Sequence, residues 1–157
     1  MKKKKIVITG LVGFMGSHLR DRLSREQDIE VPPFEDAYFS QPEKLREVLV
    51  GSDTVVHLAA MNRGDEQEIY TTNIELVNKL TAALDNLNIR PHVIFSSSTQ
   101  ATLDNSYGRS KKEGARLLEI EVGLLINFGG STLKEGLHRV VNNYIPSASS
   151  RLRVNQR

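Results

Sequence analysis

The chain has no cysteine among its 157 residues. Disulfides and thiolate metal sites are therefore excluded, and the composition fits a reducing, cytoplasmic setting. It also lacks a charge excess: 21 Lys and Arg stand against 19 Asp and Glu, a net charge of +2. That is too little to imply nucleic acid as a partner. No apolar stretch approaches membrane-spanning length, so no membrane partner is expected. The basic start MKKKK followed by IVITGLVGFMG mimics a signal peptide. However, its glycines recur every third residue, and His18, Arg20, Asp21 and Arg22 follow with no small-residue cleavage pattern. Internal repeats and low-complexity segments are lacking too. The histidines are scattered and form no metal pattern.

What is there suits one soluble domain with a substantial core. Lys2 to Lys5 read as a solvated lead-in to a first strand, IVIT (Ile6 to Thr9). From Gly13 to about Arg25 the pattern turns helical, with Phe14, His18, Leu19 and Leu23 close to one face. DIEVPPF suggests a short second strand, and its two prolines favour an edge position. PEKLREVLV reads as a helix, with Pro42 in its first turn and Gly51 after its end. TVVHLAA is the next strand. Ile69, Asn73, Leu76, Val77, Leu80, Ala83, Leu84 and Leu87 then recur at helical spacing. HVIFSSS is a fourth strand, TQATLDNS a loop, and another helix runs from near Tyr107 to about Ile120. Strands alternate with helices and three strands are almost wholly apolar. The expectation is an α/β fold with a doubly wound, mostly parallel sheet.

TGLVGFMG places Gly10, Gly13 and Gly16 at the first strand-to-helix turn. Such glycines allow a positive φ, close approach of a pyrophosphate, and tight helix-to-sheet packing, while the helix N-terminus favours phosphate. The spacing is GxxGxxG, and a glycine-rich turn with no ligand is the plain alternative. No GK[ST] follows, which excludes a Walker-type loop. Glu35 and Asp36 fall near the end of the second strand, where an acid would bond a free ribose 2′-hydroxyl. No arginine or lysine lies between Gln27 and Gln41 to hold a 2′-phosphate. Both features lean to NAD over NADP. A solvated acidic pair is the alternative.

Tyr107 and Lys111 in SYGRSKKEG are one helical turn apart and share a face. A free phenol titrates near pH 10 and is a poor base. A fixed ammonium beside it would lower that value and make Tyr107 a general base, or the acid in reverse. Lys111 could also hold a nicotinamide ribose. Of the three serines ending the preceding strand, Ser98 is taken as the partner for the same substrate oxygen. This set suits proton transfer from a sugar hydroxyl coupled to hydride transfer to a dinucleotide.

In order along the chain, TGLVGFMG, VVHLAA, YTTNIELVNKL, FSSS and YGRSK resemble the extended short-chain dehydrogenase/reductase family, which includes NAD(P)-dependent sugar-nucleotide epimerases, dehydratases and reductases. The loop HLAAMNRGDEQ and the short link SSSTQATLDNSYG are most similar to its capsular-polysaccharide sugar-nucleotide reductases. The resemblance implies a Rossmann-type fold and a nucleotide-sugar substrate. It implies Ser98, Tyr107 and Lys111 as the catalytic trio. It places Gly10, Gly13, Phe14, Met15 and Gly16 at the dinucleotide's diphosphate, and Leu58, Ala59 and Ala60 along its path. Asn73 lies near the site in such proteins; a buried amide satisfied by backbone is the other reading. His57 reads as a strand residue, neither ligand nor base. The family often dimerises through a four-helix bundle, here the helices starting near Gln67 and Tyr107.

The resemblance stops after Leu118. Residues 1–128 are expected to form the dinucleotide-binding domain, with VGLLINF as a fifth strand. Residues 129–157 are read as an atypical, partly disordered tail. EVGLLINFGGSTL weakly resembles the end of GxxExxY proteins. The expectation is a truncated or fused form without the substrate domain, with a non-catalytic dinucleotide-binding module or remnant as the alternative.

Overall fold

The computed structural model describes residues 2–122. The expected fifth strand, apart from Val122, and the tail from residue 129 lie outside the described residues. The elements run β1 (Lys4–Thr9), α1 (Phe14–Leu23), β2 (Ile29–Glu30), α2 (Pro42–Leu49), β3 (Thr54–His57), α3 (Glu66–Asn86), β4 (His92–Phe95) and α4 (Ser106–Val122). Two short 3-10 turns, Asp36–Ser40 and Thr99–Thr102, occupy stretches whose sequences carry no clear periodicity. Lys4 and Lys5 belong to β1, and Lys5 Nζ donates to Val50 O at 2.8 Å, so the basic run is only partly a solvated lead-in.

All strand pairings are parallel, in the order β2-β1-β3-β4. This is the doubly wound α/β sheet, with β2 at one edge as its prolines imply. Ile6, Val7 and Ile8 of β1, Val55 and Val56 of β3, and Val93, Ile94 and Phe95 of β4 are buried, because helices cover both faces. The chain moves from β1 outward to β2, then returns past β1 to β3. Right-handed crossovers therefore put α1 on one face and α2 and α3 on the other. Packing agrees, since α2 touches α3 and α3 lies along α4. The reversal opens a crevice at the carboxyl ends of β1 and β3.

Register makes those ends level: Thr9 pairs with His57, and His57 with Phe95. One helix differs from expectation. In α1 the buried residues are Gly16, Leu19 and Leu23, whereas Phe14 is 69% exposed and His18 faces solvent. Packing of Gly16 against the preceding turn turns the first residues outward. Among the described residues no helix is long and apolar enough to cross a membrane.

Candidate active site

The turn after β1 is held by sterics that only glycine meets. Gly10 has φ +66°, and a Cβ there would lie 2.9 Å from Ala59 N. A Cβ on Gly16 would lie 2.2 Å from Gly10 O, so α1 seats directly on the turn. Gly13 is the N-cap residue and no side chain caps the helix, which leaves its first N–H groups for a ligand. These are the features a dinucleotide's diphosphate requires, and the residues present fit it. Phe14 and Met15 form the first turn of α1.

Leu58, Ala59 and Ala60 leave β3 beside this turn, partly buried. Their path is fixed by Thr9, whose Oγ1 accepts from Leu58 N at 3.2 Å and Ala59 N at 3.1 Å. With both lone pairs engaged, the hydroxyl proton goes to His57 Nδ1, 2.7 Å away. His57 is therefore neutral, with its own proton on Nε2. Burial, aided by the charge of Lys111, holds its pKa down to about 3. It acts as an acceptor inside the sheet.

Across the next strand, the ring of Phe95 stacks on His57 with centroids 5.8 Å apart. Lys111 Nζ lies 4.9 Å from the Phe95 centroid and 5.6 Å from that of Tyr107. Lys111 is only 3% exposed, and burial lowers its pKa to about 8. Its ammonium donates to Ser96 Oγ at 3.3 Å. Ser98 instead caps the 3-10 turn, its oxygen accepting from Gln100 N at 3.1 Å. Tyr107 and Lys111 thus sit together at the carboxyl edge of the sheet, as their spacing implies. The phenol's pKa moves up rather than down, because burial desolvates it.

Asn73 is buried on α3. Its Oδ1 accepts from Met61 N at 2.7 Å, and its Nδ2 donates to Met61 O at 2.9 Å and Ser110 Oγ at 3.0 Å. It clamps the loop after β3 to α3 and α4, the backbone-satisfied arrangement. Glu35 is exposed and extended, heading the 3-10 turn that follows the edge strand. No group of three or more metal-ligating side chains occurs among the described residues. Thr9 and Ser96 are polar residues of the site that sequence reasoning passed over. Their signals were the TG that opens the glycine turn and the first serine after the β4 aromatic.

Residues 6–119 match the model of the NAD dependent epimerase/dehydratase family. The chain belongs to that family. A UDP-2-acetamido-2,6-beta-L-arabino-hexul-4-ose reductase from Pseudomonas aeruginosa is 34% identical over 119 residues, covering 74% of this chain and 31% of its own length. The chain thus spans about a third of the curated relative it matches. Among solved structures, RMD from Pseudomonas aeruginosa, complexed with NADPH, has a TM-score of 0.68 at 21% identity, covering 80% of this chain and 53% of that one. The capsular polysaccharide assembling protein CapF from Staphylococcus aureus has a TM-score of 0.59 at 30% identity, covering 78% and 34%. Within this epimerase/dehydratase-family chain, the glycine turn and the Tyr107–Lys111 pair occupy one rim of the sheet.

Proposed function

We propose that the chain works as the dinucleotide-binding and acid-base part of a sugar-nucleotide reductase or epimerase, with Ser98, Tyr107 and Lys111 as its catalytic residues. The observation that carries this is the buried Lys111 ammonium, set against the Tyr107 ring on the same sheet edge as the glycine turn. A nicotinamide dinucleotide, when bound, supplies the hydride chemistry. Gly10, Gly13, Phe14, Met15 and Gly16 would hold its diphosphate, Leu58, Ala59 and Ala60 would flank it, and Asn73 would keep their loop in place.

Tyr107 holds its proton at neutral pH, since burial raises its pKa. It therefore stands ready as the acid for a sugar carbonyl being reduced, with Ser98 bonding the same oxygen. The relative's name, a hexulose reductase acting on a UDP-sugar, supports that direction. The ammonium of Lys111 stabilises the phenolate left behind. NAD is favoured over NADP by Glu35 and by the lack of a cation between Gln27 and Gln41. The reading also has a soluble cytoplasmic protein that pairs with a second copy through the outer faces of α3 and α4.

The test is a titration of the purified chain with NADH and NADPH, followed by assay on UDP-keto-sugars. Turnover lost in Tyr107→Phe, with dinucleotide affinity kept, is the expected result. Dinucleotide binding without turnover, unchanged by Tyr107→Phe, would leave a binding module. No binding of either dinucleotide overturns both.

A further inference from the structure

Lys111 is buried, whereas Arg109, Lys112 and Arg116 on the same helix face solvent. An ammonium withdrawn from water needs acceptors to hold it. Two ring faces, of Phe95 and Tyr107, supply part of this. Among the described residues, the oxygen that supplies the rest is Ser96 Oγ at 3.3 Å.

The direction of that hydroxyl is set by the sheet. Ser96 N donates to His57 O at 3.2 Å, continuing the β3–β4 ladder by one residue. Ser96 Oγ donates to the same carbonyl at 3.3 Å. A hydroxyl has one proton and two lone pairs, so with its proton committed to His57 O it can only accept from Lys111. Ser98, two residues on, has left the sheet and its oxygen caps the 3-10 turn. His57 stacks on the Phe95 ring and is kept neutral by burial, accepting the Thr9 proton, so β3 brings no second cation to Lys111. Among the described residues, Tyr107 of its own helix is the other titratable group that Lys111 meets.

The geometry points to Ser96 as the positioning residue of the Lys111 ammonium, leaving Ser98 for the substrate oxygen. This rests on the reading of Lys111 as a site residue. The two strand-end serines then have separate tasks: the one still on the ladder holds the cation, and the one beyond it faces the ligand.

The test reads the ammonium directly. The chain is labelled with 13C-lysine, and the Lys111 Cε signal is identified by its disappearance in Lys111→Met. The pH titration is run without dinucleotide or sugar, with the wild-type midpoint expected at about 8. Ser96→Val, which replaces the hydroxyl with a methyl and adds a second one, should lower the midpoint by about half a pH unit or more, a threefold loss of proton affinity. Ser96→Thr, of the same shape with the hydroxyl kept, should restore it, and Ser98→Ala should leave it in place. Equal midpoints in Ser96→Val and Ser96→Thr, or an equal shift in Ser98→Ala, would overturn the assignment. If Ser96→Val does not fold, Ser96→Ala replaces it with the same two outcomes. In a parallel NADH titration at pH 7, Ser96→Val should bind several-fold more weakly than Ser96→Thr. Should no variant or wild type bind NADH, the proposed function fails, while the midpoints still decide the role of Ser96.

Discussion

Lys111 and His57 are both buried, and both have pKa values pulled down, but they act at opposite ends of the pH scale. Lys111 is held at about 8 against 10.5 when exposed. Between those values the unfolded chain binds the extra proton, so stability should rise as pH increases from 8 to 10.5. The gain is on the order of 3 kcal/mol. Lys111→Met should be more stable than the wild type at pH 7 and should lose this rise, read from urea melts at pH 7, 8 and 9.5. His57 is held at about 3 against 6.5. Here too the unfolded state takes up the proton first, and stability should fall as pH drops from 6.5 toward 3. Comparing acid melts of wild type and His57→Phe checks this, with a shallower slope expected for the variant. The site was legible at this scale in the pairing of Tyr107 with Lys111, because four residues on a helix fix a shared face. It was not legible in the choice among Ser96, Ser97 and Ser98. Which hydroxyl meets the ammonium depends on where the β4 ladder ends, and that is set by strand register rather than by the serines themselves.

Helix ends carry the second set of expectations. Asp65 caps α3, accepting from Gln67 N at 2.9 Å and Glu68 N at 3.2 Å. Asp65→Ala should cost about 1 kcal/mol in a urea melt. At the other end Asn88 has φ +50°, with Ile89 N bonded to Leu84 O and Asn88 N to Asp85 O. This is a helix stop of the Schellman type, in which asparagine tolerates the left-handed conformation. Asn88→Val should destabilise by about 1–2 kcal/mol, and Asn88→Gly should not. The apolar spacing of α3 was readable in advance because a long helix samples its own period many times. Ile69, Asn73, Val77, Leu80 and Leu84 are buried as that spacing implies. In α1, of 10 residues, Phe14 and His18 were misplaced. The orientation of that helix follows from Gly16 resting on Gly10 O, a contact between segments that periodicity does not encode. β2 is only Ile29–Glu30, since the prolines that follow cannot donate to a ladder.

At the scale of the whole molecule, α3 and α4 lie against each other, and their outer faces border a groove lined by Gln67, Tyr70, Arg109, Lys112, Glu113 and Arg116. If these faces meet a second copy, light scattering should give twice the chain mass, and Tyr70→Arg should return the monomer with its Tm little changed. A monomeric wild type would end that part of the reading. The parallel, doubly wound order was legible because three apolar strands alternating with helices admit few topologies.

The level ending of Thr9, His57 and Phe95 has a consequence for how the protein tolerates change. In the proposed function these three neighbours form a shared doorstep for the nucleotide and for the amine. Adding or deleting one amino acid in the central strand would reverse which of its side chains point to which layer. It would also carry the Leu58–Ala59 amides away from the Thr9 hydroxyl and the His57 carbonyl away from Ser96. Length variation there should therefore abolish the proposed dinucleotide binding and turnover in a single step.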